Sequence, residues 1–147
     1  MNGLPSSLLF ACSENSVRSP MAEALAKRLY GARVYVDSAG VRSGDVDPFA
    51  VAALDEVGVD LHRHHSKSFE DLTDANFDVI VSLSPEAHHR ALEFARLLAC
   101  EVEYWPTPDP SAVDGDRDRK LSAYRDTREH LLRRLKARFG SGRGPSV

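Results

Sequence analysis

Cys12 and Arg18 stand six residues apart in the run Cys12-Ser13-Glu14-Asn15-Ser16-Val17-Arg18-Ser19, after the apolar Leu8-Leu9-Phe10-Ala11 and just before Pro20. A loop that leaves a buried strand and enters a helix can turn its backbone N–H groups onto one anion, helped by the positive end of the helix dipole. The same field favours thiolate over thiol at Cys12 and so supplies a nucleophile near neutral pH. Arg18 completes the design, because its planar fork can grip two equatorial oxygens of a phosphoryl group and stabilise the charge spread over them in the transition state. Ser13, Glu14, Asn15, Ser16, Val17, Arg18 and Ser19 are therefore the candidate anion-binding residues. Asn15 suits a left-handed turn position, and the Ser19 hydroxyl can donate to the Cys12 sulfur or to the loop. The nucleotide loops G-x-x-x-x-G-K-S/T and G-x-G-x-x-G are both absent.

Leu8 to Ala11 reads as a short buried strand, and Pro20 to Tyr30 as a helix closed before Gly31. Arg33 to Asp37 alternates like a second strand, followed by a Ser38-Ala39-Gly40 turn and a helix from Asp47/Pro48 to Val57 that Gly58 ends. Phe77 to Leu83 is the third strand, Pro85 to Ala99 the third helix, and Glu101 to Trp105 the fourth strand. The loop Pro106-Thr107-Pro108-Asp109-Pro110 leads through a polar stretch into a last helix, whose apolar Leu121, Tyr124, Leu131, Leu135 and Phe139 recur near helical spacing. Alternating strands and helices predict an α/β fold: a parallel sheet with helices on both faces and ligands bound beyond the strands' carboxyl ends.

The length of 147 residues allows one ordinary domain, expected over residues 1–139 with a flexible tail at 140–147. Two cysteines, Cys12 and Cys100, form no disulfide framework and fit a reducing compartment, so the cytoplasm is the expected location. The N-terminus lacks a charged signal region, and Leu8 to Ala11 is too short to cross a membrane. A net charge of −3 argues against a dedicated nucleic-acid binder. Charge is uneven, though: residues 117–138 carry nine basic against three acidic side chains. These read as a solvated helix face, with an anionic partner as the alternative.

Beyond the anion loop, the chain carries Ser19-Pro20-Met21-Ala22-Glu23-Ala24, Asp37-Ser38-Ala39-Gly40, Gly58-Val59-Asp60 with His64 following, and Asp109-Pro110. With these motifs it resembles the low-molecular-weight protein tyrosine phosphatases and the related thioredoxin-coupled arsenate reductases, over roughly Leu8 to Phe139. The resemblance implies a three-layer α/β/α fold with a four-stranded parallel sheet in the order 2-1-3-4 and the phosphate loop after strand 1. It implies a two-step reaction in which Cys12 attacks phosphorus, Arg18 binds the phosphoryl oxygens, and Asp109 protonates the leaving oxygen and then activates water. The residues agree independently, since an aspartate between prolines beyond a strand end can reach the pocket and, shielded beside a bound dianion, hold a proton. The family braces its loop with hydrogen bonds; the matching positions are Asn15, Ser19, Ser38 and His64. No cofactor is expected. His62, His64 and His65 lack a second ligand cluster at metal-binding spacing, and His88 and His89 read as helix surface.

The sequence also departs from the family. Glu14 stands where glycine is usual, placing a carboxylate near the anion pocket and restricting the backbone there. Val17 replaces a second loop cysteine, and Ser84 takes the place of the first relay cysteine of the arsenate reductases, with no second one nearby. Cys100 reads as a small core residue. Ser111 stands where phosphotyrosine-specific members carry aromatic residues, and residues 41–47 have no aromatic wall. Phe49, Tyr104 and Trp105 are the aromatic candidates for a rim, with core packing expected for at least Tyr104 or Trp105. The reading is a cysteine-dependent phosphomonoester hydrolase acting on phosphorylated protein or small aryl phosphates and inhibited by phosphate-like oxyanions. The alternatives are an arsenate reductase using an external thiol and a catalytically weak oxyanion-binding module. Neither nucleic acid nor membrane is an expected partner.

Overall fold

The computed structural model describes residues 3–73 and 76–142. Four parallel strands, β1 (Ser7–Cys12), β2 (Tyr35–Gly40), β3 (Val79–Ser82) and β4 (Glu101–Tyr104), lie in the order β2-β1-β3-β4. The helices are α1 (Arg18–Tyr30), α2 (Pro48–Asp55), α3 (Pro85–Ala95) and α4 (Arg117–Phe139), and single 3₁₀ turns cover Phe69–Asp71 and Pro110–Ala112. β1 is buried along its whole length because both faces of the sheet are covered. Leu8 and Phe10 pack on the side of α1, α2 and α4, whereas Leu9, Ala11 and Ile80 pack on the side of α3 and Phe69.

Local chemistry explains where the helices begin. Asp47 accepts from Phe49 N, Ser84 from Ala87 N and Asp116 from Arg119 N, each satisfying an amide that a helix start leaves open. The start of α1 differs. Val17 at its N-cap makes no side-chain bond to the first turn, and the Ser19 amide of that turn instead donates to the Cys12 sulfur.

Several boundaries move from the sequence expectation, the strand expected over Phe77 to Leu83 narrowing to Val79–Ser82 and the helix expected to reach Val57 ending at Asp55. Ser38, Ala39 and Gly40, expected as a turn, extend β2 and pair with Phe10, Ala11 and Cys12. The helix after the anion loop starts at Arg18 rather than Pro20, and α3 ends at Ala95 rather than Ala99. Of the expected tail, residues 143–147 lie outside the described residues, while the Gly140 carbonyl accepts from the Tyr30 hydroxyl at 2.6 Å.

Most of the basic side chains on α4 find partners within the chain. Arg125 and Arg128 both grip Glu56 beyond α2 and hold its carboxyl down to about 2. Arg138 pairs with Glu103, and Arg134 and Arg117 lie over the rings of Trp105 and Phe49. These contacts dock α4 on α2 and the sheet, as a solvated helix face does. Among the described residues no helix is long and apolar enough to cross a membrane.

Candidate active site

Cys12 ends β1, 2% exposed, with the loop 13–17 turning over it into α1. Most carbonyls of this loop are taken up by one neighbouring segment. Those of Cys12, Ser13, Glu14 and Ser16 accept from the amides of Val41, Arg42, Gly44 and Asp47, and that of Asn15 accepts from the Ser66 hydroxyl at 2.7 Å. In a planar trans peptide the next N–H points opposite its carbonyl. The amides of Ser13, Glu14, Asn15 and Val17 therefore turn away from the 41–47 segment and that of Ser16 away from Ser66, leaving donors of the kind that bind anions. Residues 41–47 are thus the scaffold of the loop, a role with no local signature in the sequence. Gly40 permits the close approach: a Cβ there would lie 2.7 Å from Asn15 N and 2.4 Å from the Arg42 carbonyl.

Asn15 is the keystone beneath the loop. Its φ of 54° is the left-handed conformation expected for it, the only positive φ at a non-glycine among the described residues. Glu14 consequently occupies ordinary backbone, and the restriction expected from losing a glycine does not arise. The Asn15 amide donates to Ser19 Oγ and Ser38 Oγ, both at 2.9 Å, and its carbonyl oxygen accepts from Lys67 N at 2.9 Å and His64 Nε2 at 3.0 Å. Because Ser19 Oγ accepts from Asn15, its own proton is free for the Cys12 sulfur 2.9 Å away; Ser19 N also donates to that sulfur, at 3.4 Å. Two donors thus stabilise negative charge on Cys12.

All four expected brace residues, Asn15, Ser19, Ser38 and His64, meet in this network. Two further members, Glu23 and Lys67, escaped the sequence reading. Glu23 is 7% exposed, accepts from Ser38 Oγ, lies 3.6 Å from His64 Nδ1 and is paired with Lys27 at 2.6 Å. Burial lowers the pKa of His64 while the Glu23 carboxylate pulls against it. Replacing Asn15 with Ala removes four hydrogen bonds at a buried site and imposes a left-handed backbone on alanine. We expect a loss of roughly 2–4 kcal/mol in denaturant unfolding together with loss of phosphate binding; an Asn15→Ala protein of native stability and phosphate affinity would remove Asn15 from this role.

Arg18 opens α1, half-buried, and its Nη1 donates to the Thr107 carbonyl at 2.9 Å, which ties its fork to the loop that carries Asp109. Asp109 caps the 3₁₀ turn at Pro110; its Oδ1 accepts from Ser111 N at 2.9 Å and Ser111 Oγ at 2.7 Å. The carboxyl is exposed rather than shielded. A cavity of about 270 Å³ is lined by Cys12, Ser13, Glu14, Ser16, Val17, Arg18, Arg42, Asp109 and Ser111.

The aromatic candidates for its rim lie elsewhere. Trp105 is in the core against Phe10, Tyr104 stacks on His88, and Phe49 stacks on Tyr124, whose hydroxyl donates to Asp47. His88 is not plain helix surface either: it is half-buried, with Nδ1 2.8 Å from Ser82 Oγ. Ser84 caps α3 and lies 3.1 Å from Ser13 Oγ, beside the anion loop. Cys100 lies just before β4, half-buried, where burial raises its pKa. By strand register it stands level with Ser7, five residues below Cys12 and two strands across, or roughly 16 Å along the sheet. A disulfide needs Cα atoms about 4.4–6.8 Å apart.

The model of the low molecular weight phosphotyrosine protein phosphatases matches residues 7–140. The chain belongs to this family. Within it, the chain is 31% identical over 129 residues to an arsenate reductase of Bacillus subtilis, covering 88% of this chain and 91% of that one. Among solved structures, an arsenate reductase in the phosphate-binding state superimposes with a TM-score of 0.75 at 30% identity over 90% of this chain and 95% of the other. A YwlE mutant from Bacillus subtilis gives 0.72 at 26% identity over 88% and 93%. The four-stranded order of this family's fold, expected from the sequence, is the one found here.

Proposed function

We propose that this phosphatase-family chain hydrolyses phosphate monoesters in two steps through a cysteinyl-phosphate, with small aryl phosphates and phosphotyrosine in proteins as the substrate class. The observation that carries this reading is that Cys12, Arg18 and Asp109 line one cavity together with the loop residues Ser13, Glu14, Ser16 and Val17. In the first step the Cys12 sulfur attacks phosphorus; an S–P bond forms as the P–O bond to the leaving group breaks, and Asp109 gives its proton to the leaving oxygen. Arg18 and the amides of residues 13–17 hold the equatorial oxygens throughout. In the second step Asp109 takes a proton from water, the water oxygen attacks phosphorus, and sulfur leaves as thiolate with release of inorganic phosphate. Ser111, bonded to Asp109 Oδ1, leaves Oδ2 as the oxygen that carries the proton. Because the reaction needs Cys12 reduced, a reducing compartment such as the cytoplasm is the working location.

A second reading is favoured by the arsenate reductase name of the Bacillus subtilis relative. Here an external thiol would attack a Cys12–arsenate adduct, releasing arsenite and leaving a mixed disulfide on Cys12. An internal relay has no support, because Cys100 lies at the far end of the sheet and the residue beside the loop is Ser84. The discriminating experiment follows phenol release from phenyl phosphate and arsenite formation from arsenate in parallel, with several thiol donors. Phenol release without thiol-dependent arsenite is the expected result; arsenite formation without hydrolysis would replace the first reading with the second.

A further inference from the structure

Three of the four loops at the carboxyl ends of the strands are tied across the mouth of the Cys12 cavity by one arginine. Arg42, after β2, donates from Nη1 to Glu86 Oε2 at 2.8 Å and from Nη2 to Glu86 Oε1 at 3.1 Å, Glu86 standing in the first turn of α3. Its Nε lies 3.7 Å from Oε2 of Glu14 in the anion loop. Glu14 and Arg42 both line the cavity, and all three side chains are about half exposed. The two-pronged pairing commits the arginine to Glu86 and leaves a second carboxylate beside it. Arg18 is engaged by the phosphoryl group itself. The rim that a leaving group then meets carries Glu14 and Glu86 against Arg42, one net negative, on a cavity whose wall also includes the acidic Asp109. No aromatic side chain lines this cavity, so what the rim offers a leaving group is charge rather than a stacking surface.

We infer that the Glu14–Arg42–Glu86 rim selects substrates by the charge of the leaving group, favouring phosphate monoesters with a positive charge close to the ester, such as Lys or Arg beside a phosphorylated side chain. The inference rests on the hydrolase reading of the same cavity. Two unit charges about 7 Å apart in a water-like medium change an affinity about threefold, so a cationic and an anionic ligand should differ about five- to tenfold. Because the rim is exposed, salt screens the effect.

The test is calorimetric binding of benzylphosphonate and its 4-trimethylammonio and 4-carboxy derivatives at low and high salt. These probes are not hydrolysed, so the readout does not require turnover. In the wild type the cationic probe is expected to bind about five- to tenfold more tightly than the carboxylate probe at low salt, with the gap closing at high salt. Arg42→Gln should widen the gap, Glu14→Gln or Glu86→Gln alone should narrow it, and the double Glu→Gln variant should narrow it further, since Arg42 is then opposed only by Asp109. Equal affinities in the wild type, or a preference that survives unchanged in the double variant, would overturn the inference. Failure of the hydrolase reading shows itself differently, as phosphonate binding without phenol release from the corresponding phosphates. Probes that fail to bind at all would contradict both.

Discussion

Cys12→Ser is expected to lower phenol release from phenyl phosphate by roughly 10⁴-fold or more, since the hydroxyl lacks the base that would activate it. The two groups aimed at the sulfur, Ser19 Oγ and Ser19 N, can donate to an anion there, and neither is a base strong enough to ionise a serine hydroxyl. The amides of residues 13–17 and the Arg18 fork do not depend on sulfur, because they are set by carbonyl bonds to residues 41–47 and by the Thr107 carbonyl. Inorganic phosphate should therefore bind the serine variant within a few-fold of its affinity for the wild type. A variant that keeps turnover would remove Cys12 as nucleophile. One that loses phosphate binding along with turnover would show that the sulfur, rather than the brace, holds the loop.

Asp109→Asn separates the acid role from the rest. The amide can still take the bonds from Ser111 that fix the turn, so the loop is expected to survive. What disappears is the proton for the leaving oxygen. General acid catalysis typically contributes about 10²–10⁴-fold. Phenyl phosphate, whose phenolate leaves reluctantly, should slow by about that factor, and 2,4-dinitrophenyl phosphate, whose leaving group needs little proton assistance, should be far less affected. A plot of log kcat/KM against leaving-group pKa should accordingly be shallow in the wild type and steep in the variant. Parallel lines would take Asp109 out of the acid step.

The sequence made the site legible in proportion to how local its determinants are. Cys12 and Arg18 lie six residues apart on one loop, and the starts of α2 and α3 are each capped by a side chain two or three residues from the amide it satisfies. Ser38 to Gly40 misled because serine and glycine favour turns. Their place in β2 is set by pairing with Phe10 to Cys12 and by the space beneath Asn15, both of which come from distant chain. Glu23, four residues before Lys27, reads locally as one half of an exposed helical ion pair; only the fold buries it against Ser38 and His64. The Arg42–Glu86 clasp joins residues 44 apart and has no local signature at all. Phe49 shows the same limit from the other side. Its composition suits a substrate rim, but stacking on Tyr124 and the overlying Arg117 hold it away from the cavity.

In the proposed reaction phosphorus passes through Cys12 on its way to water. The most direct measurement is a rapid-quench time course of 4-nitrophenyl phosphate hydrolysis, with the quenched protein digested and its phosphorylated peptide identified. The predicted result is phosphorus on the peptide containing Cys12, formed and lost at rates that account for steady-state turnover. Hydrolysis at full rate with phosphorus on another residue, or with none on the protein at any time, would contradict it.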